Sequence, residues 1–166
     1  AFSKLYDVFV DYIYKYVYYR VKSADAEDLV VTIFLKVWEN IHKYKAKKCS
    51  FSSWIFKVAH NLVVDYYRNS KDKNFDELSI DVPSQNREHN PIKNIEKGLD
   101  QKILKQALRK IKKNYQDIII YKFIHEFTNA EIAQILKKSE GSLRILQHRA
   151  LKALKRELEE IGIDDM

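Results

Sequence analysis

Turn-forming residues are scarce in this chain. Of its 166 residues only 3 are Gly and 2 are Pro. Both prolines, Pro83 and Pro91, fall in a single stretch, residues 69–98. Sheets of many strands need frequent turns, and turns draw on Gly and Pro for their backbone angles. A chain so poor in both is predicted to be all-α, with long helices and few joints. Residues 69–98 are also rich in Asn, Ser, Asp and Lys and show no periodicity, which predicts a flexible linker. The expected organisation is two small helical domains, residues 1–70 and 99–166, with a linker over 71–98.

Apolar spacing places the helices. Phe2, Tyr6, Phe9, Tyr12, Tyr16 and Tyr19 form one inward stripe over residues 1–22. Ser23 or Asp25 is predicted to cap the next helix, 25–42, with Glu27 and Asp28 in its first turn, where the helix dipole favours negative charge. Its stripe is Leu29, Ile33, Val37 and Ile41, with Val30, Phe34 and Trp38 beside it. The basic segment Lys43 to Ser50 reads as a loop. Ser50 or Ser52 then caps a helix to about Arg68, with Phe51, Ile55, Val58 and Leu62 inward and Lys57, His60, Asn61, Val64 and Arg68 along the other side. Four more helices are predicted at 99–112, 115–123, 129–136 and 139–161. The three isoleucines Ile118 to Ile120 also fit a buried strand, but their neighbours favour a helix.

Charge narrows the partners. The net charge is +7. Residues 1–70 carry 11 basic and 7 acidic groups, residues 71–98 carry 5 and 6, and residues 99–166 carry 14 and 10. Two positive blocks flank a near-neutral stretch, and a polyanion partner is consistent with that. The lone Cys49 cannot form an internal disulfide, and no Cys/His cluster has zinc spacing, so no metal or cofactor is expected. No apolar run approaches the ~18 residues of a membrane span. The expectation is a cytoplasmic protein.

Thr128 to Leu136, followed by Ser139 to Leu143, has the shape of a helix-turn-helix. Ile132, Ala133 and Leu136 are predicted to face inward on the short helix, and Ser139 to cap the longer one, with Ser142 in its first turn. Leu143, Leu146, Ala150 and Leu154 mark the core face of that longer helix. Gly141, Arg144, Ile145, His148, Arg149 and Lys152 lie opposite. Arg and His donate to base edges or phosphates, and Ile145 suits a thymine methyl. A plain amphipathic surface helix is the alternative.

These residues carry a resemblance. Asp25-Ala26-Glu27-Asp28-Leu29-Val30 with Phe34-Leu35-Lys36-Val37-Trp38, then Phe51-Ser52-Ser53-Trp54-Ile55 through Ala59-His60-Asn61 to Asp65-Tyr66-Tyr67-Arg68, are similar to the signatures of region 2 of bacterial RNA polymerase sigma factors. Ser139-Glu140-Gly141-Ser142-Leu143-Arg144 with Gln147-His148-Arg149-Ala150 resembles their region 4 recognition helix. The three motifs in order resemble the small two-domain extracytoplasmic-function (ECF) type. There are two departures. Val31-Thr32 replaces the usual Gln-Glu. The usual Gly of the helix-turn-helix turn is Lys137 or Lys138, where a left-handed backbone would cost up to ~1 kcal/mol.

The resemblance implies a non-enzymatic initiation subunit that binds the polymerase core, through the β′ coiled coil and the β flap, and promoter DNA; an anti-sigma factor is a further partner. It implies core docking by Asp25, Glu27, Asp28, Phe34 and Trp38, with packing as the alternative for Phe34 and Trp38. It implies −10 contacts by Lys48, Phe51, Trp54, Lys57, His60, Asn61 and Arg68, with a flipped base held near the loop 44–53 and Lys45 and Lys47 on phosphates. Packing is the alternative for Trp54. It implies −35 contacts by Ser139, Ser142, Arg144, Ile145, His148, Arg149 and Lys152. Elements ~25 bp apart lie ~85 Å apart, and a linker of about 28 residues reaches ~95 Å when stretched.

Three other readings compete. An enzyme lacks support, because there is no Gly-rich phosphate loop and no nucleophile–base set. A stand-alone helix-turn-helix regulator leaves residues 1–70 unexplained. A degenerate sigma factor that binds partners but reads no DNA is the third.

Overall fold

A computed structural model describes residues 2–69 and 101–162. All regular structure among the described residues is helical, as the composition predicts. The helices are α1 (Phe2–Arg20), α2 (Ser23–Asn40), α3 (Phe51–Arg68), α4 (Gln101–Arg109), α5 (Lys113–Ile119), α6 (Asn129–Leu136) and α7 (Glu140–Ile161). A 3-10 turn, Ile41–Lys43, follows α2, and a π-helical segment, Ile120–Ile124, continues α5. The chain divides into two units, one built on α1–α3 and the other on α4, α5, α7 and the first part of α6. The predicted linker 71–98 and the start of the helix predicted at 99 lie outside the described residues.

The interior of the first unit is made by Ile13, Tyr16, Val17 and Tyr19 of α1, Ala26, Val30, Ile33, Phe34 and Val37 of α2, and Ile55, Phe56, Ala59 and Val63 of α3. Edge-to-face contact of Tyr16 with Phe56, at 6.0 Å between centroids, ties α1 to α3. Two predicted stripes are corrected. On α1 the seam falls on Ile13 and Val17, four residues apart, and the predicted Tyr6 and Tyr12 are exposed. On α3 the buried line is rotated by about one residue's step. Ile55 holds, while Phe51, Val58 and Leu62 are only half-buried. The small side chain of Ala59, fully buried, sits on this rotated line.

The predicted cap of α2 is also corrected. Lys22 occupies the N-cap with an extended backbone and no side-chain cap hydrogen bond. Asp25 sits in the first turn, and its Oδ2 accepts the Tyr66 hydroxyl at 2.5 Å. The neighbouring Tyr67 hydroxyl donates to the Arg20 carbonyl, and the Arg20 guanidinium lies 5.6 Å over the Tyr67 ring. The end of α3 is thus fastened to the end of α1 and the start of α2. Burial, then the hydrogen bond to the Asp25 carboxylate, pushes the Tyr66 hydroxyl well above its usual range.

A hydrogen bond to a charged acceptor contributes roughly 1.5–3 kcal/mol. Tyr66→Phe is therefore expected to lower the urea unfolding midpoint by an amount equivalent to about 1–2 kcal/mol. The pH dependence has a definite sign. With the folded pKa raised, the Tyr66 contribution is fully present below pH 10.0, the unfolded value, and is lost as pH rises above it. Wild type and Tyr66→Phe should accordingly converge in stability above that pH.

The second unit buries Leu104, Ala107 and Leu108 of α4, Ile118 to Tyr121 and Ile124 along α5 and its continuation, Ile132 of α6, and Leu143, Leu146, Ala150, Leu154 and Leu158 of α7. The isoleucine run is helical, and all three residues are buried. At its end the His125 N–H reaches back five residues to the Ile120 carbonyl, and the Phe127 N–H six residues to Tyr121. Glu126, at φ 58°, closes this widened turn, and the Phe127 ring stacks 6.0 Å from Tyr121.

Candidate nucleic-acid interface

The helix-turn-helix is assembled by local hydrogen bonds. Thr128 and Glu131 form a reciprocal capping box at the start of α6: the Glu131 N–H donates to Thr128 Oγ1 at 3.1 Å, and Glu131 Oε1 accepts the Thr128 N–H at 2.9 Å. The T-x-x-E spacing was the available sequence signal for this box. Ile132 of α6 is buried as predicted. Ile135 takes the other inward place, while Ala133 and Leu136 are half-buried.

At the end of α6 the Lys138 N–H donates to the Ala133 carbonyl at 3.2 Å, and Lys137 adopts φ 59°. This is a Schellman ending with lysine where glycine is favoured. Ser139 then caps α7, accepting the Ser142 N–H at 3.2 Å, as predicted. The Gln147 amide donates to Asn129 Oδ1 at 2.8 Å and fixes α7 against α6.

With Leu143, Leu146, Ala150 and Leu154 buried, the opposite face of α7 is turned to solvent. Arg144, Ile145, His148, Arg149 and Lys152 are all exposed, and Ile145 is 56% exposed. Ser139, Ser142 and Gly141 are exposed at its start. A 22-residue helix with a continuous basic face and one exposed branched apolar side chain can enter a major groove, pairing cations with phosphates and base edges.

In the first unit an aromatic cluster stands at the start of α3. Tyr44, Phe51 and Trp54 lie 5.2 to 5.5 Å apart between centroids, and Phe9 backs Phe51 at 5.4 Å. Ser50 caps α3, accepting the Ser53 N–H at 3.1 Å. The Tyr44 hydroxyl donates to the Cys49 carbonyl at 3.0 Å, closing the loop that displays Lys45, Lys47 and Lys48. Trp54 and Phe51 are half-buried, so a face of the cluster reaches solvent beside these lysines. Along α3, Lys57 and His60 are half-buried and Asn61, Val64 and Arg68 are exposed. Arg68 pairs with Asp65 at 3.3 Å, but both are exposed, and such pairs hold weakly enough for a phosphate to compete.

On α2 the outward face is apolar where a solvated helix would be polar. Val31, Leu35 and Trp38 are 58%, 57% and 56% exposed, and their spacing of four and three aligns them in one stripe. Exposed Glu27, Asp28 and Glu39 flank it.

Residues 5–73 match the Sigma-70 region 2 family, and residues 101–154 match Sigma-70 region 4. The ECF RNA polymerase sigma factor BldN of Streptomyces coelicolor is 31% identical over 157 residues. The ECF RNA polymerase sigma factor SigX of Bacillus subtilis is 26% identical over 173 residues, covering 96% of this chain and 84% of SigX. This chain belongs to the ECF sigma factors. It spans 60% of the length of BldN, and 94% of this chain is matched there. In fold, this sigma factor is similar to RpoE of Bartonella quintana, solved in complex with the anti-sigma factor NepR, with a TM-score of 0.75 at 20% identity over 95% of this chain and 96% of that one.

Set on this sigma factor, the predicted site residues fall into three groups. Those of α7 share one exposed face. Those of α3 and its preceding loop gather around an aromatic cluster that also holds Tyr44, whose one signal in the sequence is an aromatic inside a basic loop. The docking set on α2 divides. Glu27, Asp28 and Trp38 face out, whereas Phe34 is 5% exposed and packs 4.8 Å from Tyr6, which makes it a core residue. The Asp25 carboxylate is held by Tyr66. Val31 and Leu35, missed in the sequence, complete the stripe with Trp38. No helix among the described residues is long and apolar enough to cross a membrane.

Proposed function

We propose that this chain directs bacterial RNA polymerase to promoters, acting as a non-enzymatic subunit in the cytoplasm. In this reading residues 1–70 form the core-binding and −10-binding domain and residues 99–166 the −35-binding domain, joined by the linker 71–98. The observation that carries the reading is the α7 face, where Arg144, Ile145, His148, Arg149 and Lys152 stand exposed on a helix held rigidly by its cap and by Gln147. Arg144 and Arg149 would pair with guanine edges or phosphates of the −35 element, with Ser139, Ser142 and Lys152 on the backbone. The Val31–Leu35–Trp38 stripe would dock on the β′ coiled coil, and the second unit would meet the β flap. An anti-sigma factor would be a further partner; RpoE, which is similar in fold, is solved in complex with one, NepR.

Lys48, Phe51, Trp54, Lys57, His60, Asn61 and Arg68 would hold the melted −10 strand. An unstacked base lying on the exposed side of the Tyr44–Phe51–Trp54 cluster gains about 1–3 kcal/mol from stacking, comparable to the cost of flipping it out. Trp54→Ala is therefore expected to reduce open-complex formation about tenfold or more, read by permanganate reactivity of unpaired thymines. Closed-complex binding should change much less. Run-off transcription with core polymerase and fragmented genomic DNA tests the whole reading: discrete chain-dependent transcripts are expected, and their absence with active core enzyme overturns it.

A further inference from the structure

Lys137 holds the left-handed backbone of the turn between α6 and α7 at φ 59°. An L side chain rarely adopts that conformation, and glycine adopts it freely. The Lys138 N–H bond to the Ala133 carbonyl fixes the turn in this form, so lysine bears the strain with no alternative geometry. Its side chain is exposed, and so is that of Lys138. A strained residue that persists where an unstrained one fits points to a function for its side chain. An exposed ammonium leading into the basic face of α7 has an obvious use for a chain that binds DNA.

A second observation lies four residues on. Gly141 is exposed inside α7, its backbone is not left-handed, and a Cβ built on it meets nothing within 4 Å. The fold has no need of glycine there, and a helix is weakened by it. A missing side chain with open space around it permits another molecule's backbone to come close.

We infer that Lys137 is a DNA-backbone contact that this chain adds to its helix-turn-helix, gripping a phosphate at the edge of the segment read by α7, at the expense of an unstrained turn. The inference rests on the promoter-binding reading above. The contact is sequence-independent, since an ammonium on a flexible stem meets phosphate as a point charge. It raises affinity for every duplex while leaving base preference to Arg144 and Arg149.

The test compares the full chain, assembled with core polymerase, with its Lys137→Gly, Lys137→Arg and Arg144→Ala variants. The probes are a duplex selected by the wild-type holoenzyme from a random pool and a scrambled duplex. Lys137→Gly is expected to raise the thermal midpoint of the free chain. It should also weaken binding to both duplexes several-fold and lower the slope of log affinity against log salt by about one. Lys137→Arg should keep wild-type affinity and slope. Arg144→Ala should weaken the selected duplex far more than the scrambled one. If Lys137→Gly binds with unchanged affinity and salt slope while Arg144→Ala loses the selected duplex, the Lys137 contact is refuted and the promoter-binding reading survives. If Arg144→Ala also binds unchanged, both are overturned.

Discussion

Arg144→Glu combined with Arg149→Glu is expected to abolish promoter-dependent transcription while leaving the fold intact. Both side chains are exposed on α7, and neither lines the interior built by Leu143, Leu146, Ala150 and Leu154. The thermal midpoint should therefore stay close to that of wild type. The loss at DNA is large because it is counted twice. Each arginine that pairs with a base edge contributes about 1–3 kcal/mol of discrimination, and each glutamate adds repulsion from a phosphate. Together these weaken promoter binding by roughly a hundredfold or more. Run-off transcription from a selected promoter, beside a melting curve, measures both quantities. Retained transcription would support the rival in which this polypeptide binds partners without reading DNA.

The second large effect is on assembly. Trp38→Asp is expected to weaken binding to core polymerase about thirtyfold or more, the scale of a tryptophan hot spot at 2 kcal/mol. The stripe of Val31, Leu35 and Trp38 is more than half exposed, so the substitution removes little from the interior of the free protein. In a complex it places a carboxylate inside a desolvated apolar contact, which is costly unless paired. Fluorescence anisotropy of labelled chain against core enzyme reads the change. Undiminished affinity would place the docking surface elsewhere, leaving the apolar face of α2 without a role in assembly.

How much of this was visible in the residues differs from element to element. The helices were legible because Gly and Pro are few and the apolar spacing is regular. Ser139 was legible as a cap, and Ser50 as one of two candidates with Ser52, because a side-chain cap is decided within three residues; at α2 the same local signal pointed to Ser23 or Asp25, and Lys22 holds the place without a side-chain cap. The buried face of α7 was legible because Leu143, Leu146, Ala150 and Leu154 recur at helical spacing while Arg144, His148, Arg149 and Lys152 collect on the opposite side. On α1 and α3 both candidate faces are apolar or aromatic, and the choice between them is made by the neighbouring helices, not by the period. Trp38 and Phe34 show the same limit: four residues apart on α2, one is exposed and the other buried. The Tyr66–Asp25 hydrogen bond joins residues 41 apart in sequence and has no local signature. The left-handed lysine was legible only by comparison with a pattern in which glycine stands at the turn.

On the proposed reading, the promoter is read by this chain as part of a larger machine. Equilibrium binding of the full chain to a selected promoter duplex, with and without core polymerase at physiological salt, addresses it directly. The account predicts tight, sequence-selective binding only when core enzyme is present, with the free chain showing weak and unselective affinity. Tight selective binding by the chain alone, undisturbed by core enzyme, would contradict it.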